Sequence, residues 1–465
     1  MNHYLTPVAA TVGLAAVLTL TPSRGDAATD IRLITLDPGH FHAGLVQKFM
    51  YPQVDPVVHV YAPAGPDLQE HLKRIEGFNT RPENPTRWEE KVYTGPDFLK
   101  RMLKERAGNV VVLSGNNANK TEYIYQSVAA GLNVLADKPM AITPAGFKLL
   151  RKAFATAEKK RVLLYDIMTE RFEISTILQR ELARKPDVFG TLQAGTRSEP
   201  GVVMESVHHF FKEVAGKPLI RPAWFFDVRQ QGEAVPDVGT HLIDLVQWEC
   251  FPEQIIDWKK DIKVAEANHW PTRMTREQFQ RVTGLDAYPD FLKRDVNQEG
   301  VLEVFQNGDV TYQIKGVWAK VVALWNFEAP PGTKDTHYSV LRGSRADLLI
   351  RQGPEQRFVP TLYVKPKTAA AGFEQSLRKA VAELASRWPG VDLKLAGDCW
   401  EIIIPEKYAV GHEAHFAEVT NNYLRYLAEG RMPEWEVPNM IAKYYVTTEA
   451  QRLSQSAGER KRSAE

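Results

Sequence analysis

Cysteine is almost absent from this 465-residue chain, which has only Cys250 and Cys399. Two thiols allow one disulfide but no disulfide framework, and a chain of this length needs none to hold a core. Net charge is missing too: 58 Lys and Arg against 57 Asp and Glu leave +1. So neutral a chain has no global field for nucleic acid or an anionic membrane, and neither is an expected partner. The apolar run Pro7–Thr21 is too short to cross a bilayer, so no stable span is expected in the mature form. Polar Ser23-Arg24-Gly25-Asp26 and small Ala27-Ala28 follow it, which is the shape of a secretory signal over residues 1–28. The protein is therefore expected in the periplasm or outside the cell. No Cys follows the run and no Arg-Arg pair precedes it, so lipid-modified cysteine and twin-arginine export are not read here.

The remainder has globular composition, 44% hydrophobic and 25% charged, and its length predicts two domains. From residue 29 to 170, short apolar strands alternate with helical patterns. Ile31–Leu36, Val57–Tyr61, Asn109–Leu113, Asn133–Ala136 and Val162–Tyr165 read as strands. Helices are expected at Ala43–Met50, Leu68–Ile75, Asp97–Ala107, Thr121–Ala130 and Thr143–Lys159, and Gly77–Lys91 reads as a loop insertion. Such alternation predicts an α/β fold, a doubly wound parallel (Rossmann) sheet. Residues 171–455 read instead as an α+β domain with an open, mainly antiparallel sheet, closed by a helical section His412–Glu429. Residues 456–465 read as a frayed tail.

In a Rossmann sheet the first strand-to-helix turn is where dinucleotide phosphates sit. Here it is Asp37-Pro38-Gly39-His40-Phe41-His42, with one glycine where the usual fingerprint has three. Taken alone these residues read more simply as an ordinary Pro-Gly turn, and His40 and His42 are either pocket residues or turn polar groups. The strand at 133–136 runs out at Asp137-Lys138-Pro139. Pro139 biases Lys138 to extended geometry, so Lys138 projects at the carboxyl edge where open parallel sheets bind ligands. An amine there can hydrogen-bond a reacting oxygen, though a solvated Lys at a strand end is the plainer alternative. Further on, Pro236-Asp237-Val-Gly-Thr-His241-Leu-Ile-Asp244 opens a helix. At about 100° per residue Asp237, His241 and Asp244 fall within roughly 60° of arc. A carboxylate one turn from an imidazole can orient it as a general base.

The spaced pair Asp137-Lys138-Pro139 and Asp237-Val-Gly-Thr-His241-Leu-Ile-Asp244 resembles the glucose–fructose oxidoreductase and inositol dehydrogenase family (Gfo/Idh/MocA). Val110-Val-Val-Leu-Ser114-Gly-Asn116-Asn117 is similar to that family's strand ending in a Thr-Pro-Asn type turn. Gly411–Phe416 and Pro438–Tyr444 point to a subgroup with an extended C-terminal oxidoreductase domain. The resemblance implies hydride transfer between a sugar or polyol hydroxyl carbon and a tightly bound NAD or NADP. It implies that Lys138 binds the substrate hydroxyl, that His241 removes its proton and that Asp237 holds both. Asp37, Gly39, His40, His42, Ser114, Asn116, Asn117, Asp137 and Lys138 would line the cofactor. Arg171, His209, Asp227, Gln231 and Asp244 are the expected contacts to a small carbohydrate or polyol substrate. A homo-oligomer is expected. Asp137 departs from the family's Glu, and the second strand ends Tyr61-Ala62 without the acidic residue that would separate NAD from NADP. Export implies a closed redox cycle, because free dinucleotide is scarce outside the cytoplasm. Either one sugar is oxidised and another reduced, or a hydroxyl is oxidised temporarily so that a neighbouring glycosidic group is eliminated.

Two other readings compete. His412-Glu-Ala-His415, with Glu418 beyond, has a His-x-x-His spacing, but a helix packed by polar residues fits better and no metal is expected. The eroded glycine turn also suits a non-catalytic sugar-binding protein on the same fold.

Overall fold

A computed structural model describes residues 31–214, 217–367 and 372–462. The expected export signal lies outside the described residues. The alternation in the first third forms six parallel strands: β1 (Leu33–Leu36), β2 (Val57–Ala62), β3 (Glu89–Thr94), β4 (Val110–Leu113), β5 (Asn133–Asp137) and β6 (Leu164–Ile167). Their order is β3-β2-β1-β4-β5-β6, the doubly wound arrangement expected. β1, β4 and β6 are buried at every position, which is why they are mostly apolar, β4 entirely so. The flanking helix Pro144–Lys160 shows how the sequence sets an element. Thr143 caps it by accepting from the Gly146 amide, Pro144 starts it, and Phe147, Leu150, Ala153, Phe154 and Ala157 form its buried stripe.

Two local expectations are corrected. The helix expected over Ala43–Met50 is a single turn, His42–Leu45. Beyond it the Gln47 and Lys48 amides bond three residues back, while their carbonyls are taken by the Trp88 indole and the Arg81 guanidinium. The segment Gly77–Lys91 is no loop insertion: the helix Pro66–Thr80 runs into it and β3 begins within it as the edge of the sheet. β3 is exposed or half-buried throughout and so carries no alternating apolar signal.

The second sheet has nine strands. They are β7 (Val202–Phe211), β10 (Ile262–Met274), β11 (Leu302–Ile314), β12 (Val317–Glu328), β13 (Thr336–Arg342), β14 (Ala346–Arg351), β15 (Thr361–Pro366), β16 (Asp392–Ala396) and β17 (Cys399–Ile403). A small ribbon, β8 (Glu213–Val214) and β9 (Lys217–Pro218), stands apart. Pairing is antiparallel except where β7 lies parallel to β12. The helices Ile174–Ala183, Gly239–Cys250 and Phe373–Arg387 bury Leu178, Ile243 and Leu377 in this sheet's core.

The helix His412–Glu429 packs back on the first domain, with Phe416, Val419 and Tyr423 in that core. A long helix, Glu436–Arg462, is a feature the sequence reading lacked, and it carries the chain through the segment expected to fray. It places Met440 and Tyr444 in the first core and Ala442, Val446 and Ala450 in the second. Cys250 and Cys399 are both free thiols.

Candidate active site

The register of β1, β4 and β5 brings their carboxyl tips level: Leu36 stands opposite Leu113, and Leu113 opposite Ala136. Strand order reverses between β1 and β4, so the crevice of the sheet opens there. Asp137 anchors it. One of its carboxylate oxygens accepts from Ser114 Oγ at 2.9 Å and pairs with His42 Nδ1 at 2.9 Å, with His40 Nδ1 3.7 Å away. Its carbonyl accepts from the buried Lys120 ammonium at 3.1 Å. Burial opposes the charge on Asp137, but His42, Lys120 and His40 together hold its pKa well below the usual carboxylate range.

The next residue, Lys138, reaches Asp237 Oδ1 at 2.6 Å. Asp237 Oδ2 accepts from Gln231 Nε2 at 3.1 Å. The turn Ala234–Asp237 leads into the helix Gly239–Cys250 through Val238, whose backbone stays helical. Within it Asp237 holds the lysine and not His241. The imidazole stands free: its Nδ1 is buried without a hydrogen-bond partner. Burial, reinforced by the Lys138 charge, pushes the His241 pKa down to about 3, so the ring is neutral at neutral pH.

Lys138, Asp237, His241, Gln231, His40 and His42 line one cavity of about 450 Å³ between the two sheets. Glu170 and His412 complete the near wall, and His208, Lys212, Arg221, Trp325, Asp335 and His337 form the far one. Sequence reasoning missed most of the far wall as well as Glu170. No local signal marked Arg221, Asp335 or His337, because loops and sheet strands bring them in. Asp335 gathers that wall, pairing with His209 Nδ1 at 2.9 Å, His208 Nδ1 at 3.2 Å and the Lys212 ammonium. A second cavity, about 440 Å³, lies between the end of helix Pro66–Thr80 and the start of β3, at the amino ends of the strands. Ligands in open parallel sheets bind at the opposite edge, so the first cavity is the candidate site.

Four expected substrate contacts do not line it. Arg171 and Asp244 belong to a buried ion network. Arg171 grips Asp244 at 2.6 and 2.8 Å and Glu436 at 3.1 Å, while Lys443 bridges Asp244 and Asp166 at 2.7 Å each. One turn past His241, Asp244 looks into the core because the helix rotates it off the cavity side. Asp227 caps the turn Val228–Gln231 and pairs with Arg229. His209 faces Asp335 from a buried position, and its neighbour His208 lines the cavity instead.

The remaining expected residues, Asp37, Gly39, Ser114, Asn116 and Asn117, do gather at the tips of β1 and β4, and the segment 222–231 covers Gly39, Asn116 and Asn117. The Trp224 indole donates to Asp67 at 3.0 Å and lies 3.4 Å from where a Cβ on Gly39 would stand. Asn116 Nδ2 donates to Gln230 Oε1, the Asn117 amide to the Gln230 carbonyl, and Asn117 Nδ2 to the Gln231 carbonyl. The Gly39 and His40 amides are both engaged by the Ser114 carbonyl.

The family model described as "Putative oxidoreductase C terminal domain" matches residues 178–455. The chain belongs to that family. A crystal structure of a "putative oxidoreductase" from Parabacteroides merdae is 56% identical, with a TM-score of 0.91, covering 93% of this chain and 99% of that one. More distant structures share the fold. A 3-ketoreductase from Actinomadura kijaniata in complex with NADP is 13% identical, with a TM-score of 0.52, over 91% of this chain and 97% of that one. Levoglucosan dehydrogenase in complex with NADH is 13% identical, with a TM-score of 0.56, over 92% and 97%. No curated protein matches the sequence.

Nicotinamide dinucleotides thus occur on this fold. Here the amides that would face a pyrophosphate are paired, Trp224 fills the space above Gly39, and the helix that should present its amino end is one turn long. In this conformation residues 222–231 cover the trough where a dinucleotide would lie. One cluster among the described residues has metal-ligand spacing: atoms of His40, His42 and Asp137 all lie within 4.8 Å of one another.

Proposed function

We propose that this oxidoreductase-family protein transfers hydride between a sugar or polyol hydroxyl carbon and NAD or NADP, using the segment-open form to take up the cofactor. The single observation behind this reading is that Lys138 and His241, carried by distant parts of the chain, meet in one cavity at the carboxyl ends of the strands. Lys138, fixed by Asp237, would hold the substrate oxygen. His241, a neutral imidazole lining the cavity, would accept the hydroxyl proton. As the O–H proton leaves, the C–H bond breaks, a carbonyl forms and the electron pair departs as hydride; the bound dinucleotide supplies the hydride acceptor. The polar groups of the far wall suit a hydroxylated ring. For an exported protein the cofactor would stay bound through a closed redox cycle.

The covered trough favours a second reading, a sugar-binding protein that has kept this fold and lost its dinucleotide. Mass spectrometry of what the purified protein releases on denaturation, followed by calorimetric titration with NAD and NADP, separates the two. Released dinucleotide, or binding on titration, supports the oxidoreductase; neither one supports the binder. With a substrate in hand, Lys138→Met and His241→Asn each lower turnover by roughly 10²–10⁴-fold. Unchanged rates would remove both residues from the mechanism.

A further inference from the structure

Two histidine motifs remain without a role: His40-Phe41-His42 at the tip of β1 and His412-Glu-Ala-His415 at the start of a late helix. They are 370 residues apart in sequence, yet His42 Nε2 and His412 Nε2 lie 3.4 Å from one another in the cavity. Each ring turns its other nitrogen to a carboxylate: His42 Nδ1 to Asp137 at 2.9 Å, and His412 Nδ1 to Glu170 at 3.5 Å. A neutral imidazole that gives its proton to a carboxylate through Nδ1 leaves a bare lone pair on Nε2. With that tautomer on both rings, two lone pairs face each other, an arrangement that suits a cation between them.

The separation favours a metal ion over a shared proton. A direct hydrogen bond between the rings would draw the nitrogens to about 2.9–3.0 Å. Two nitrogens each bound to zinc at about 2.0–2.1 Å, with tetrahedral angles, stand roughly 3.4 Å apart. Carboxylates on the far nitrogens are what metal-bound histidines use to fix tautomer and ring orientation. The opposite side of His42 is already filled: Ser114 and His42 share one Asp137 oxygen, and Lys120 takes the Asp137 carbonyl. The Nε2 side opens to the cavity.

We propose that His42 and His412 bind one divalent transition-metal ion through their Nε2 atoms, with Asp137 and Glu170 as outer carboxylates. The remaining coordination positions face the cavity, where water or a substrate oxygen completes them. Imidazole donors suit zinc, iron, nickel or copper, not magnesium or calcium. At this place the ion would polarise a substrate carbonyl or hydroxyl beside Lys138 and His241. Metal binding is read without turnover, so it stands or falls apart from hydride transfer.

The test strips the purified full-length protein with a chelator and titrates it with Zn²⁺ by calorimetry, and with Co²⁺ by its visible ligand-field absorption. One equivalent is expected to bind. His42→Ala and His412→Ala should each weaken binding at least 100-fold, and Asp137→Asn by about 10–100-fold. His412 is the first residue of its helix with a side chain 41% exposed, so its alanine variant keeps the fold, and a melting curve checks this. Absence of binding to the stripped protein would overturn the proposal, as would a Zn²⁺ affinity unchanged in His412→Ala.

Discussion

Replacing Trp224 by alanine should make the protein bind NAD or NADP more tightly, although the residue would touch neither in the closed form. Four hydrogen bonds close the trough: Trp224 to Asp67, Asn116 to Gln230, and two from Asn117 to Gln230 and Gln231. At about 1 kcal/mol each they hold the closed form by about 4 kcal/mol, which leaves the open form populated at roughly one part in 1,000. The apparent dissociation constant rises by the inverse of that fraction. Trp224→Ala removes one bond and the indole packed over Gly39, about 1.5 kcal/mol together, and should tighten binding by roughly tenfold. Gln230→Ala, which deletes the Asn116 contact and a donation to Asp227 inside the segment itself, should give roughly fivefold. The assay is titration calorimetry at fixed salt, with circular dichroism to confirm folding. Binding unchanged or weakened in a folded Trp224→Ala variant would refute the idea that this segment competes with a dinucleotide.

Two further outcomes concern stability. Lys443 is fully buried between Asp166 and Asp244. Lys443→Met leaves those carboxylates facing each other without their ammonium, and denaturant unfolding should show a loss of about 3–5 kcal/mol; a loss under 1 kcal/mol would mean Arg171 alone neutralises the cluster. Glu90 is raised from 4.5 to about 7, chiefly by burial. The folded state then holds a proton the unfolded chain has released, so this contribution is complete below about pH 4.5 and disappears as pH climbs through 7. The difference is about 3 kcal/mol. Glu90→Gln should flatten that fall, seen by comparing unfolding at pH 5 and pH 8, and an identical slope in both proteins would show that Glu90 is not the group responsible.

Where a local pattern and the final environment agree, the sequence was readable. The apolar run before Asp137, ended by Pro139, read as a buried strand with Lys138 at its tip, and the doubly wound class of the first sheet followed from the alternation. Edge strand β3, polar on both sides, gave no such pattern. The helix Glu436–Arg462 also escaped notice, because Met440, Ala442, Lys443, Tyr444 and Val446 are all buried and leave no one-sided stripe. Asp237 and Asp244 illustrate the limit within a motif. Both were rightly placed near His241 along the chain, but the elements packed around the helix decide that one pairs with Lys138 and the other with Arg171.

By itself, then, the sequence determined the doubly wound class of the first sheet, the strand-tip lysine and the neutral overall charge, since these depend on periodicity, composition and neighbours a few residues away. Only the tertiary structure decided which side chains share the cavity. His42 meets His412, Asp67 meets Trp224 and Lys138 meets Asp237 across separations that no local preference encodes. The physical reason is that burial and pairing of polar groups are set by packing elements against one another, after each element has already formed.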